Sequence, residues 1–509
     1  MRPGAVLVAV VGVALALRLF DLGGESLWLD EGVAVRLASL PMHQTVAATA
    51  ADVHPPLFRS LLHVVISLAG RSEGATRVLS ALAGTLAVLL LGWIGMRLSG
   101  AFVGLGAAAL LALSPLAIHY AQDATSYALY MCLVLASYFY FLRWLERRRA
   151  VDGMGYVLAT AALLYTHNTA WFVLAAQWTT FVLALVRAPA PRAQHALRWG
   201  LLQVAVIVLY APWVTVLARQ MHSVSKDFWI QAPTLRTLGG TLLDYAVTPW
   251  MLGALALAVL AGLVPVKARD GDQPNTGTPP VLVLAPWLLV PVAGPFLASF
   301  VFAPIFLTRV TLPSLPALCL LAMRGVSTLR GPKWRAACTA LLLVGTAQPL
   351  VSYYREPNKE RWREAVSDLQ TGAAPGDLVL VHAGYCKASV VDYYLRRRDL
   401  EVVPFPDGHS AVGPADVAEL ERRIAGRHRV WLFRSHDGEG SAIIPETLAR
   451  ALPRVSERDY PQAAYRWSPT PPFIGVALLR YEDAGSDSVP APAGHSGHGL
   501  TPSRRTASR

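Results

Sequence analysis

The chain has 509 residues, of which 54% are hydrophobic and only 15% charged, with a formal net charge of +12. Apolar runs of membrane-spanning length recur from the N-terminus to about residue 350, which argues against a soluble protein and for a multi-pass membrane protein. Most Lys and Arg fall in short loops between these runs, so the positive balance reflects topology. No basic stripe interleaved with aromatics suggests a nucleic-acid partner. Four cysteines without CxxC spacing indicate neither a zinc site nor a disulfide framework.

The first apolar run, Ala5 to Leu17 after Arg2, continues into Arg18 with no small-x-small cleavage site, and is expected to be a retained helix rather than a signal peptide. Directly after it comes Ser26-Leu-Trp-Leu-Asp30-Glu31, two adjacent carboxylates beside a membrane helix. A second polar cluster, Asp52-Val-His54-Pro55-Pro56-Leu57, closes the same loop. The apolar stretch Leu57–Gly70 is too short to cross comfortably and reads as an interfacial or re-entrant helix.

The remaining runs, at 78–96, 101–118, 127–142, 153–167, 170–186, 199–217, 250–266, 281–301, 307–323 and 336–351, join 4–20 to predict about eleven spans. If Leu57–Gly70 does not cross, one side collects Arg2, Arg97, Arg143, Arg147–Arg149, Arg187, Arg192, Arg198, Lys267, Arg269, Arg324, Arg330, Lys333 and Arg335. The positive-inside rule makes that side cytoplasmic. Asp30, Glu31, Asp52, His54, Asp123 and His167 then all lie on the outer side. There the polar turns Tyr120–Tyr127 and Tyr165–Asn168 and an amphipathic stretch at 218–249 meet the first loop, 20–77.

After residue 351 the composition becomes that of a globular domain. Trp362–Gln370, Val417–Ala425 and Glu446–Leu452 read as helices, and Asp377–His382, Arg429–Arg434 and Ile474–Tyr481 as strands. The predicted fold class is thus an α-helical polytopic membrane domain, 1–351, followed by an extracytoplasmic α/β domain, 352–483. Residues 484–509, rich in Gly, Pro, Ser and Arg, are expected to be disordered. No glycine fingerprint accompanies the α/β domain, so it is assigned no chemistry.

A carboxylate facing an acceptor hydroxyl can act as a general base. Glycosyl transfer needs such a base on one face of the sugar carbon and positive charge for the departing phosphate on the other. Away from the cytoplasm nucleotide sugars are absent, and the natural donor is a sugar on a lipid phosphate. Arg18, Arg77 and Arg309 each stand at the outer end of a predicted helix, where a phosphate head group would lie, although snorkelling explains any one of them equally well. Asp123 as a turn residue and His167 as a hydrogen bonder at a kink are the plainer readings of those two. Trp28 and Trp250 read as aromatic-belt residues.

These motifs also carry a resemblance. Arg18-Leu-Phe, SLWLDE, DVHPPLF and Ala75-Thr-Arg77-Val-Leu-Ser-Ala81-Leu resemble the membrane-embedded GT-C glycosyltransferases, particularly the protein O-mannosyltransferase and aminoarabinose transferase group. YAQDATSYAL (120–129), YTHNTAWF (165–172) and Phe306-Leu-Thr-Arg309-Val-Thr-Leu-Pro313 are similar to later motifs of its bacterial branch. The resemblance implies a GT-C fold and Asp30 as catalytic base with Glu31 as its acidic partner. It also implies Arg18, His54, Arg77 and Arg309 around the donor phosphate or supporting the carboxylates. Asp52, Asp123 and His167 are candidate substrate-binding residues. Two departures stand out: Gln122-Asp123-Ala-Thr125 where relatives read Gln-Glu-Ala-Arg, and Val310 where they carry tyrosine.

The expected activity is inverting transfer from a polyprenyl-phosphate sugar to an envelope acceptor, at the outer face of a bacterial cytoplasmic membrane. No cofactor is required, although Asp30, Asp52 and His54 could hold a divalent cation. The alternatives are a transporter or flippase of lipid-linked sugars, for which no internal repeat is visible, and a noncatalytic relative acting in envelope assembly.

Overall fold

The computed structural model describes residues 2–187, 192–226, 230–264, 278–407, 411–436, 440–462 and 475–483. The tail expected at 484–509 lies outside the described residues.

Helix α1 (Pro3–Leu19) leads into a loop that is itself helical: α2 (Leu29–Ala38), α3 (Met42–Ala51) and α4 (Leu57–Ala69). The membrane bundle continues with α5 (Glu73–Ser99), α6 (Ala101–Leu113), α7 (Pro115–Ala121), α8 (Tyr127–Arg147), α9 (Ala150–Leu164), α10 (Ala170–Arg187), α11 (Arg192–Lys226), α12 (Leu235–Ala246), α13 (Pro249–Leu263) and α14 (Pro280–Val301). A 3-10 turn, Thr308–Ser314, runs into α15 (Leu315–Thr328), followed by α16 (Pro332–Ala347) and the short α17 (Leu350–Tyr353).

Among the described residues, seven helices are long and apolar enough to cross a membrane. Two bent pairs, α6 with α7 at 62° and α12 with α13 at 86°, raise the number to nine. The other two expected spans correspond to α1 and α9, of 17 and 15 residues. The expected single span at 101–118 is broken at Ser114–Pro115. Proline has no N–H to donate and disfavours helical geometry in the residue before it. The Ser114 hydroxyl then caps the new helix through the Ala117 N–H.

Helix α4 is about 20 Å long, well short of a roughly 30 Å hydrocarbon core. It buries Phe58, Arg59 and Leu62 while exposing Leu61, Val64 and Leu68, as a helix lying along the interface would. Small residues bring spans together: a Cβ on Gly325 would stand 1.8 Å from the Ala258 carbonyl oxygen, so α13 and α15 pack nearly backbone to backbone.

Beyond the bundle, α18 (Trp362–Gly372) precedes a five-stranded sheet of β1 (Leu378–Val381), β2 (Glu401–Pro404), β3 (Arg429–Arg434), β4 (Arg454–Tyr460) and β5 (Val476–Glu482). The strand order is β2-β1-β3-β5-β4, with β1 parallel to β2 and β3, and β5 antiparallel to β3 and β4. Short helical turns at Lys387–Val391 and Asp392–Tyr394 follow β1, and the helices Pro414–Ile424 and Ile443–Ala451 flank β3. Val379, Val381, Trp431 and Phe433 face the core shared with α18, and Leu378, Leu380, Val430 and Leu432 face the other helices. Both strands that the pattern missed are edges: β2 is four residues ending in proline, and β4 is charged along its length.

Candidate active site

Glu31 is fully buried and held by several strong contacts. Arg77 reaches it as a fork, Nε to Oε1 and Nη2 to Oε2, both at 2.7 Å. Lys359 Nζ donates to Oε1 at 2.9 Å and the Ala124 N–H at 2.8 Å. Arg77 spends its remaining donors on the carbonyls of Leu22, Glu25 and Ser26, which locks the loop entry to α5. Lys359 completes its own set with the Gln122 carbonyl at 2.7 Å and Asp123 at 3.4 Å.

Burial alone would raise the Glu31 carboxyl; Arg77 and then Lys359 overcome it and hold the group well below the usual carboxylate range. Asp123, on the far side of the same ammonium, goes the other way. Burial pushes it up, and the neighbouring Glu31 charge adds to that against the pull of Lys359. Asp123 also accepts from Trp28 Nε1 at 2.8 Å and from Thr125 Oγ1 at 2.9 Å. Trp28, expected in an aromatic belt, thus belongs to this network because its indole N–H needs an acceptor where it is half-buried.

Asp30 is the residue of the pair that remains open. Its side chain is 41% exposed, and one oxygen accepts from Arg309 Nη1 at 3.0 Å. The Arg309 guanidinium sits 5.7 Å from the Tyr127 ring centroid, which fixes the cation over the site. Thr308, just before it, donates to Asp244 of α12, a buried carboxylate that the sequence did not single out.

Asp52 forms a second cluster at the loop's end. It meets His54 Nδ1 at 3.1 Å and Arg59 Nη2 at 2.5 Å. His54 and Arg59 outweigh burial and hold Asp52 well below the usual carboxylate range. Gln220 of α11 binds the Thr49, Asp52 and His54 carbonyls, and Asn168 binds that of Val53. His54 keeps 40% of its side chain exposed. His167 is stacked 4.6 Å from the Tyr130 ring, and its Nδ1 accepts from the Thr169 N–H. Burial, with His54 and Arg309 adding to it, pushes this imidazole down to about 3, so it is neutral at ordinary pH. Among the described residues, no group of three or more His, Cys, Asp or Glu side chains could hold a metal ion. The expected trio of Asp30, Asp52 and His54 does not form one.

Arg18 does not line the site. It is fully buried, and its Nη atoms donate to the carbonyls of Ala14, Leu111 and Ala112. Those last two carbonyls end α6, so Arg18 satisfies acceptors that the break at Ser114–Pro115 leaves over. Arg77 likewise supports Glu31 and the loop, leaving Arg309, partly exposed, and His54, exposed, as the candidates to meet a donor phosphate. Lys359 and Glu360 are, with Asp244, residues that the sequence reading missed. The first two follow α17 in a stretch with no periodicity, and meet the first loop across more than 320 residues.

Residues 53–215 match the family described as dolichyl-phosphate-mannose-protein mannosyltransferase. Solved structures that resemble the chain include ArnT from Cupriavidus metallidurans in the apo state, at TM-score 0.59 and 14% identity over 93% of this chain and 97% of that one. The same protein bound to undecaprenyl phosphate gives 0.58 and 14% over 94% and 98%. The archaeal oligosaccharyltransferase AglB from Archaeoglobus fulgidus, in complex with an inhibitory peptide and a dolichol-phosphate, gives 0.52 and 12% over 84% and 69%. No curated protein matches the chain. The chain therefore shares the GT-C fold of these solved structures, and its residues 53–215 are similar to the dolichyl-phosphate-mannose-protein mannosyltransferase family.

Proposed function

We propose that this chain is an inverting glycosyltransferase that moves a sugar from a polyprenyl-phosphate donor to an envelope acceptor at the outer face of the cytoplasmic membrane. The observation that carries the reading is the Asp30–Arg309 pair: a half-exposed carboxylate beside an anchored guanidinium, on a rigid helix start. Asp30 takes the proton of the acceptor hydroxyl as its oxygen attacks the anomeric carbon. The bond from that carbon to the phosphate oxygen breaks on the opposite face, and the lipid phosphate leaves with the electron pair. Arg309 and His54 meet the charge that develops on that phosphate. A polyprenyl-phosphate carrier fits the shared fold of ArnT bound to undecaprenyl phosphate and of AglB with a dolichol-phosphate.

The arrangement of α5 supports the outer-face reading. Arg77 at its site end and Arg97 at its other end are separated by about 30 Å of helix. The basic residues Arg97, Arg143 and Arg147 gather at that far end, which the positive-inside rule assigns to the cytoplasm. Incubating membranes that contain the protein with labelled polyprenyl-phosphate sugars tests the activity. Labelled product should form with the wild type and be absent with Asp30→Asn; turnover by that variant would sink the assignment.

A further inference from the structure

Helix α2 begins without an accepting side chain at its N-cap: Glu31, at the third helical position, reaches back to the Trp28 N–H at 3.4 Å, and the Leu29 N–H is left for an acceptor from elsewhere. The first N–H groups of a helix need acceptors from outside it, and an N-cap Ser, Thr, Asp or Asn normally supplies one. Here the N-cap is Trp28, whose indole can only donate. The acceptor comes instead from the start of the α/β domain: Glu360 Oε2 accepts from the Leu29 N–H at 3.2 Å.

That carboxylate is buried and held on its other sides by the domain. Oε2 also accepts from Trp362 Nε1 at 2.6 Å, and Oε1 is 2.8 Å from His436 Nε2. The surrounding contacts pin the same stretch. Ser26 donates to the Glu360 carbonyl, and the Leu27 N–H donates to the Tyr394 hydroxyl at 2.7 Å. Leu29 packs against the domain core. A Cβ on Gly32 would stand 2.6 Å from the Ser389 carbonyl oxygen, so only glycine lets α2 seat this closely. Asp30 lies inside this clamped turn.

We propose that Glu360, held by Trp362 and His436, is a positioning residue for Asp30: the outer α/β domain completes the first turn of α2 and thereby sets where the Asp30 carboxylate stands relative to Arg309. The inference rests on the reading of Asp30 as the base. Docking alone would not call for a buried carboxylate, since apolar contacts hold a domain at lower desolvation cost. A charge at a helix N-terminus, by contrast, suits the helix dipole and fixes the direction of the first turn. A displacement of about 1 Å at a catalytic group costs on the order of 100-fold in rate.

The test compares the full-length wild type with Glu360→Ala, Glu360→Gln and Asp30→Asn. It reads transfer from a labelled polyprenyl-phosphate sugar to the endogenous acceptors of the membrane, together with amide hydrogen exchange over residues 27–33. Glu360→Ala should lose at least about 10-fold in rate at saturating donor, with donor KM within about twofold, and should exchange faster over 27–33 but not in β3. Glu360→Gln keeps an acceptor oxygen and should recover the rate to within about threefold.

Wild-type rate and wild-type exchange in Glu360→Ala would overturn the proposal. So would faster exchange throughout the α/β domain without recovery by Gln, which is the signature of a merely structural role. If Glu360→Ala does not yield folded protein, His436→Ala removes the lateral support alone and is judged by the same two measurements. Normal turnover by Asp30→Asn would instead remove the base assignment, while the exchange arm still reports whether Glu360 caps α2.

Discussion

Asp30 and Glu31 share a peptide bond, yet the first keeps 41% of its side chain exposed against a single arginine, whereas the second is enclosed by Arg77, Lys359 and the Ala124 N–H. Consecutive helical residues point about 100° apart, so one turn of α2 faces the site with one carboxylate and the protein interior with the other. The difference separates two tasks. The group that in the proposed reaction exchanges a proton with substrate is left accessible. The group that holds the first loop, α5 and the stretch leading into the α/β domain together is buried with full charge compensation.

The comparison breaks most visibly at Asp30. Asp30→Asn should lower transfer by roughly 10²–10⁴-fold, the usual contribution of a general base, while thermal melting in detergent stays within about 1 kcal/mol of wild type, as for a half-exposed ion pair. Glu31→Gln should do the reverse first. It strips buried Arg77 of its counter-charge and leaves Lys359 with Asp123 alone, and should cost about 3–5 kcal/mol in the same melts.

Lys359→Met should destabilise by a similar amount, since it leaves Glu31 and Asp123 facing each other without their shared ammonium. Adding Asp123→Asn should restore a large part of that loss, and a double-mutant cycle measures the coupling.

Smaller effects sharpen the same contrast through pH. The folded-state pKa of Asp123 is raised, so its contribution to stability is present at low pH and is lost as pH rises from the ordinary carboxylate range through the folded value. Asp123→Asn alone should therefore flatten the decline of melting temperature with rising pH. The depressed Glu31 group contributes the opposite slope: its stabilisation is present above the ordinary carboxylate range and is lost only under strongly acidic conditions.

The smallest effect is expected at Arg18. Arg18→Met leaves the carbonyls of Leu111 and Ala112 without donors and should cost about 1–3 kcal/mol. Donor KM should not change; a large rise would return Arg18 to the phosphate.

What the sequence made legible is local chemistry and periodicity. The Asp30-Glu31 pair, the short amphipathic α4 and the spacing of the apolar runs all follow from neighbours a few residues apart. Strand β3 could be read residue for residue, because Arg429–Arg434 is a central strand with an apolar interior. The role of Arg18 was not legible, since it depends on a helix break nearly a hundred residues away that an unbroken apolar run conceals. Lys359 and Glu360 carry no pattern of their own. Their partners lie in the first loop, and only the folded chain brings a lysine between Glu31 and Asp123.

The central claim is that Asp30 is the base and Glu31 the strut. It is tested most directly by measuring transfer of labelled sugar from polyprenyl phosphate by Asp30→Asn in membranes, alongside its melting temperature. The account predicts a wild-type melt with no transfer; transfer near the wild-type rate would contradict it.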